Sequence, residues 1–230
     1  NFIGQALSSG KTNTIGLVLF DFRHDFFAEL YSAFEEEAGS YDNVLFPMLT
    51  HRDGKHELES IRRLMDRNVD GIMILPVNRG EEYEAFLASL EIPVVTFGNR
   101  LSSRFVFSGI DDFRAASDAV VYLRNTGCGT VHYFSPPLTH AGTQNLYAQE
   151  CRHKGWAAAC REHAIEGGCF TDREKLLRVL KAGDAVLASS DFYALGIQLT
   201  LRDRHSELFR QVRLMGFDGL DVLRFAPATI

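Results

Sequence analysis

No run of apolar residues in this 230-residue chain approaches the length of a bilayer crossing; the longest, such as Ile72-Met73-Ile74-Leu75, are strand-sized. Positive charge is in short supply as well. With 24 Lys and Arg against 30 Asp and Glu, the formal charge of −6 offers no general attraction to phosphate backbones, so any DNA contact has to come from elsewhere. There is no G-x-G-x-x-G, no G-x-x-x-x-G-K-[ST], no G-x-S-x-G and no H-E-x-x-H, and His132, His140, His153 and His163 are scattered without a nucleophile at a recognisable spacing. The residues favour binding over turnover, and no enzyme is expected. The four cysteines, Cys128, Cys151, Cys160 and Cys169, form no C-x-x-C pair, which points to reduced thiols. Cys160 and His163 sit three apart but have no second ligand pair, so neither a metal nor a cofactor is expected. The chain opens at Asn1 and runs through Ser8-Ser9-Gly10-Lys11-Thr12 without the apolar centre of an export signal.

What is present is an ordinary globular balance, 46% hydrophobic and 23% charged, enough for a substantial core. Short β-rich runs alternate with helical patterns throughout, which predicts an α/β chain of parallel strands joined by crossover helices. A buried strand over 14–19 precedes a helix with Phe26, Phe27, Leu30, Tyr31 and Phe34 at helical spacing. Strands over 43–49, 71–75, 93–97 and 105–109 follow, separated by helices that carry Leu58, Ile61, Leu64 and Met65, then Tyr83, Phe86 and Leu90. A helix from Asp112, whose carboxylate suits an N-cap, stops near Gly127. A second series then begins: strands over 130–134, near 170, over 185–189 and 212–217, with helices over 149–163, 173–180 and 192–202. The expected division is a linker over 1–13, a first lobe over 14–126 and a second over 127–230.

In open α/β sheets ligands lie outside the carboxyl ends of strands. The residues just past the expected strands include Asp21, Phe26, Phe27, Asp111, Asp112, Phe170, Ser190, Asp191 and Asp218. Carboxylates accept paired hydrogen bonds from hydroxyls, and an aromatic face covers a sugar or stacks on a base. Each residue taken singly also has a plain structural reading, the aspartates as helix caps and the phenylalanines as core.

The stretch Lys11-Thr12-Asn13-Thr14-Ile15-Gly16-Leu17-Val18 with Asp25-Phe26-Phe27-Ala28-Glu29-Leu30 resembles the opening of the effector-binding core in LacI/GalR-type bacterial transcription regulators. Asp70-Gly71-Ile72-Met73, Ile92-Pro93-Val94-Val95, Arg152-His153-Lys154-Gly155-Trp156, Ser190-Asp191-Phe192-Tyr193-Ala194-Leu195-Gly196 and Gly216-Phe217-Asp218 follow in the family's order. The resemblance implies two similar lobes of parallel sheet flanked by helices, periplasmic-binding-protein-like of type I, with an effector in the interlobe cleft. It implies a cytoplasmic bacterial homodimer without membrane contact, reaching operator DNA through an N-terminal helix-turn-helix domain that this sequence does not contain. Residues 1–7 are similar to the family's DNA hinge, with Leu7 at the position of its minor-groove leucine, and the family's closing strand and helices are not found before Ile230.

By position, the resemblance carries an effector pocket onto Phe26, Phe27, Asp112, Arg152, Phe170, Ser190 and Asp218. Ser190 stands where many sugar-sensing members have asparagine, which shortens a donor. An arginine facing two carboxylates between aromatics suits a neutral polyhydroxylated ring, a sugar first, with a nucleobase or nucleoside using the same walls. The competing class is a periplasmic sugar-binding protein of an ABC transporter, which shares the fold. The four cysteines and the hinge-like segment favour the regulator.

Overall fold

The computed structural model of the protein describes residues 10–23, 25–138, 144–221 and 223. Two compact units are distinguished. One runs up to Gly109 and takes in a return segment that ends at Tyr147; the other begins at Ile110 and resumes at Ala148.

The first unit holds five parallel strands in the order β2-β1-β3-β4-β5: β1 Thr14–Leu19, β2 Val44–Leu49, β3 Gly71–Ile74, β4 Val94–Phe97 and β5 Val106–Ser108. Its helices are α1 Asp25–Ser40, α2 Gly54–Met65 and α3 Glu81–Ala88. Leu17 and Leu19 face one side, with Phe20, Phe27 and Phe97; Val18, Ile72 and Ile74 face the other, with Ile61, Leu64 and Leu87. Both faces of the sheet are thus covered, which is why these strands read as continuous apolar runs. Pro47 lies on β2, an edge strand, where a residue without an N–H is tolerated. Asp53 caps α2 by accepting from the backbone N–H groups of Lys55 and His56. Inside the unit, the fully buried Glu57 accepts from the Val77 and Asn78 backbones and from Asn78 Nδ2, and burial pushes its carboxyl up. The return segment is tied in by Asn145, which donates from Nδ2 to the Arg100 carbonyl and accepts from Asn99 Nδ2 at its own carbonyl.

The second unit holds four parallel strands in the order β7-β6-β8-β9: β6 Val131–Phe134, β7 Cys169–Phe170, β8 Ala185–Ala188 and β9 Arg213–Met215. Its helices are α4 Asp112–Asn125, α5 Tyr147–Glu162, α6 Arg173–Val179, α7 Asp191–Arg204 and the short α8 Ser206–Phe209, a turn the periodicity did not announce. On one face Val131, Tyr133, Ala185 and Leu187 pack against Ala116, Val120 and Leu123 of α4 and Trp156, Ala159 and Cys160 of α5. On the other, Phe134 and Val186 pack against Leu176 and Leu177 of α6 and Ile197 and Leu201 of α7.

The expected boundary at residue 127 is corrected by this packing. Helix α4 precedes β6 in sequence, yet its buried stripe of Ala116, Val120 and Leu123 lies on the second sheet, so the change of unit falls between Gly109 and Ile110. The hinge-like residues 1–7, Leu7 among them, lie outside the described residues, as does the stretch from 224 onward.

Candidate functional site

The second unit gathers charged side chains at the carboxyl end of its sheet. Arg152 lies in the second turn of α5, and Gly155 follows it one turn later. A Cβ at Gly155 would collide with the carbonyl oxygen of Phe113, so glycine lets α5 close onto the start of α4. That approach brings Arg152 onto Asp112: Nε donates to Oδ1 at 2.7 Å, with side-chain exposures of 14% and 3%. Nη1 donates to the carbonyl of Ser189, just past β8, at 2.6 Å. The guanidinium carbon lies 4.1 Å from the centre of the Phe217 ring, a cation–π contact from the loop after β9.

The helix cap expected of Asp112 is made by its neighbour. Asp111 accepts from the Arg114 backbone N–H at 3.0 Å, leaving Asp112, the first helical residue, to turn inward to Arg152. Burial pushes the Asp112 carboxyl up, and the pairing with Arg152 only partly opposes this.

Asp218 follows Phe217 with a φ of 104°, a left-handed backbone that non-glycine residues seldom adopt. What holds it there is Asp191, the first residue of α7. The Asp191 backbone N–H donates to the Phe217 carbonyl at 2.7 Å, and its carboxylate accepts from the Leu220 N–H at 2.9 Å. Gly216 allows the approach, since a Cβ there would sit 2.8 Å from Asp191 Cα. Asp218 Oδ1 ends 4.0 Å from Arg152 Nη1 and accepts no hydrogen bond from the described residues. Burial, reinforced by the charges of Asp191 and Asp112 and opposed by Arg152, pushes the Asp218 carboxyl up to about 6.

Of the residues singled out in the sequence, Asp112, Arg152 and Asp218 are brought together. Ser190 is the N-cap of α7 in extended conformation, and its hydroxyl makes no capping bond. Phe170 is not brought to Arg152. Its register with Phe134 puts it on the α6 and α7 face of the sheet, edge-to-face with His132, where it lines an open depression of about 560 Å³ that none of Asp112, Arg152 and Asp218 borders. Phe27, expected at a ligand wall, is packed into the core of the first unit, and the neighbouring Phe26 is 37% exposed with its ring edge-to-face on Phe27.

A model of the family described as periplasmic binding proteins and sugar binding domain of LacI family matches residues 12–228. The chain belongs to this family. Among its relatives, catabolite control protein A of Priestia megaterium is 27% identical over 229 residues, spanning 95% of this chain and 69% of that protein. The HTH-type transcriptional regulator IdnR of Escherichia coli is 25% identical, spanning 95% of this chain and 68% of that protein. The fold is similar to that of a periplasmic binding protein/LacI transcriptional regulator from Alkaliphilus metalliredigens complexed with D-xylulofuranose, with a TM-score of 0.80, 22% identity and coverage of 95% and 82% of the two chains. A putative ribose operon repressor from Burkholderia thailandensis gives a TM-score of 0.80 at 23% identity, covering 96% and 85%. These likenesses bear out the expected fold, a type I periplasmic-binding-protein-like α/β architecture.

In this member of the family three contributors escaped the sequence reading. Phe217 supplies the aromatic surface under Arg152, and its signal was present in the Gly216-Phe217-Asp218 motif. Tyr133, fully buried, stacks on Trp156 at 5.6 Å, and its hydroxyl lies in the field of Arg152 and Asp112. Ser189 is 2% exposed. The Tyr133 and Ser189 hydroxyls are both buried with no hydrogen-bond partner among the described residues, an uncommon state for buried polar atoms. Nothing in the local pattern of a buried strand marks either one.

Proposed function

We propose that this chain is the effector-sensing domain of a LacI-type transcriptional regulator, and that it binds a sugar or related polyhydroxylated molecule through Asp112, Arg152, Ser190 and Asp218. The observation that carries the reading is Asp218, a carboxylate with a side chain 20% exposed on a strained backbone, beside a guanidinium and with no donor among the described residues. Strain of this kind persists where surrounding structure enforces it and concentrates at ligand sites. A sugar hydroxyl donates to the carboxylate, and the Phe217 ring adds an apolar wall. Relatives named as transcriptional regulators, and a similar fold solved with a furanose sugar, support the same reading. In the intact regulator the domain acts as a homodimer in the bacterial cytoplasm, and ligand modulates operator binding by a helix-turn-helix domain outside these residues.

Thermal unfolding and calorimetry against pentoses, hexoses, their phosphate esters and nucleosides test the proposal. A ligand at about a hundred times its Kd stabilises by about 2.7 kcal/mol. Replacing Asp218 by Ala is expected to weaken the responding ligand by about 1.5–3 kcal/mol, the range for hydrogen bonds to a charged group. No response from any compound, or unchanged affinity in Asp218→Ala, would count against this site.

A further inference from the structure

We propose that the Arg152 site selects its ligand by charge: it takes an uncharged hydroxyl and turns away phosphorylated forms of the same molecule. This rests on the reading that a polyhydroxylated ligand binds here, and it adds which chemical class of that ligand is sensed.

The inference comes from counting charges and donors around one guanidinium. Two carboxylates from separate elements lie beside it, Asp112 of α4 at 2.7 Å and Asp218 of the loop after β9 at 4.0 Å, and Asp191 of α7, which holds that loop, lies within its field. The capping carboxylate of Asp111 adds to the field at Asp112. Among the described residues, Arg152 is the one cation that acts on all three. Its positive charge is already engaged by Asp112 and the Ser189 carbonyl, and its face by Phe217. Asp191 is satisfied by the backbone of the following loop. An arriving group therefore meets an excess of negative charge at a site largely withdrawn from water, where like charges repel more strongly than in solution.

The hydrogen-bonding inventory points the same way. Asp218 offers acceptors that no described residue donates to, and Arg152 Nη2 offers donors that no described residue takes up. A hydroxyl serves both, donating to the carboxylate while accepting from the guanidinium. A phosphate only accepts, so it would satisfy Arg152 but leave Asp218 unpaired and next to a further anion. The Tyr133 and Ser189 hydroxyls are buried without a hydrogen-bond partner among the described residues; Ser189 gives Arg152 its carbonyl, and the Tyr133 hydroxyl lies in the field of Arg152 and Asp112.

The test measures, by calorimetry on the 230-residue chain, each pentose and hexose against its phosphate ester and each nucleoside against its 5′-monophosphate. The expected result is an uncharged compound that binds and an ester of it that binds about 30-fold or more weakly, with the gap narrowing about fivefold or more in Asp218→Asn. Asparagine suits the positive φ at this position, and circular dichroism checks that the variant folds. If it does not fold, the wild-type ratio alone decides. An ester that binds as tightly as its parent, or a gap that Asp218→Asn leaves unchanged, overturns the charge rule while leaving sugar sensing intact. A nucleoside that binds where its monophosphate and all sugars do not would support the charge rule and overturn the choice of sugar. Silence from every compound overturns both.

Discussion

Asp218 shows how much one residue depends on its surroundings. In an unfolded chain its carboxyl titrates near the usual value of about 3.9, whereas in the folded protein burial, with Asp191 and Asp112 nearby, raises it to about 6. The folded state therefore binds the proton more tightly than the unfolded one, and the linkage has a definite sign. Stability contributed here is present at low pH, is lost as pH rises through the window from about 4 to about 6, and stays lost above it. At about 1.4 kcal/mol for each unit the loss has an upper bound of about 3 kcal/mol, and because the residue is exposed, solvent screening reduces it to about 1–2 kcal/mol. Asp218→Asn removes the titration while keeping a side chain that tolerates positive φ. Urea unfolding is expected to show the variant about 1–2 kcal/mol more stable than the natural protein at about pH 7.5 and little different at about pH 4. An equal difference at both pH values would mean that the carboxyl does not titrate in this window. The residue itself was legible from the Gly216-Phe217-Asp218 motif. Its strained backbone was not, because that conformation is imposed by the Asp191 bonds to Phe217 and Leu220.

Among the elements, α5 carries the most instructive spacing. Arg152 and Gly155 are three residues apart and so lie on neighbouring positions of one helix face, where the glycine sets the approach and the arginine uses it. In an isolated helix Gly155→Ala would be favourable by about 1 kcal/mol. Here the new methyl group meets the backbone oxygen of Phe113, which cannot rotate away, and overpacking of this kind costs about 1–3 kcal/mol. The variant is expected to unfold several degrees lower, at about 2–4 °C per kcal/mol for a chain of this size, and to lose most of its ligand-induced stabilisation as Arg152 is moved off Asp112. A variant that melts at the natural temperature with full ligand response would show that the close approach is dispensable. The strands and long helices were legible to within a few residues, since periodicity and turn residues act locally. Helix caps were legible only in part: Asp111 was among the aspartates with a capping reading, whereas Asp53 and Asp172, which also accept from a backbone N–H two or three residues on, were not singled out. That Asp111 rather than Asp112 does the capping follows from the pull of Arg152, forty residues away in the chain.

For the whole molecule, the formal charge of −6 bears on how the proposed regulator meets DNA. Phosphate affinity needs a basic surface and sequence readout needs an element in a groove. By fluorescence anisotropy at matched salt, the full-length regulator is expected to bind a palindromic operator as two protomers per site, and the 230-residue chain to bind it about a hundredfold or more weakly. Comparable affinities would place a DNA contact within these residues, and one protomer per site would refute the homodimer. The sequence by itself determined the α/β class, the order of strands and helices and the apolar faces, because these follow from local periodicity and breakers; Asp112, Arg152 and Asp218 were expected from strand ends and the family resemblance, and the fold brings them together. Only the tertiary structure decided where the units divide, that Phe27 belongs to a core and Phe170 to the opposite sheet face, and that Phe217, Tyr133 and Ser189 join Arg152. Those outcomes depend on strand register and on helix approaches closer than a Cβ would permit, contacts between residues far apart in the chain that no local pattern specifies.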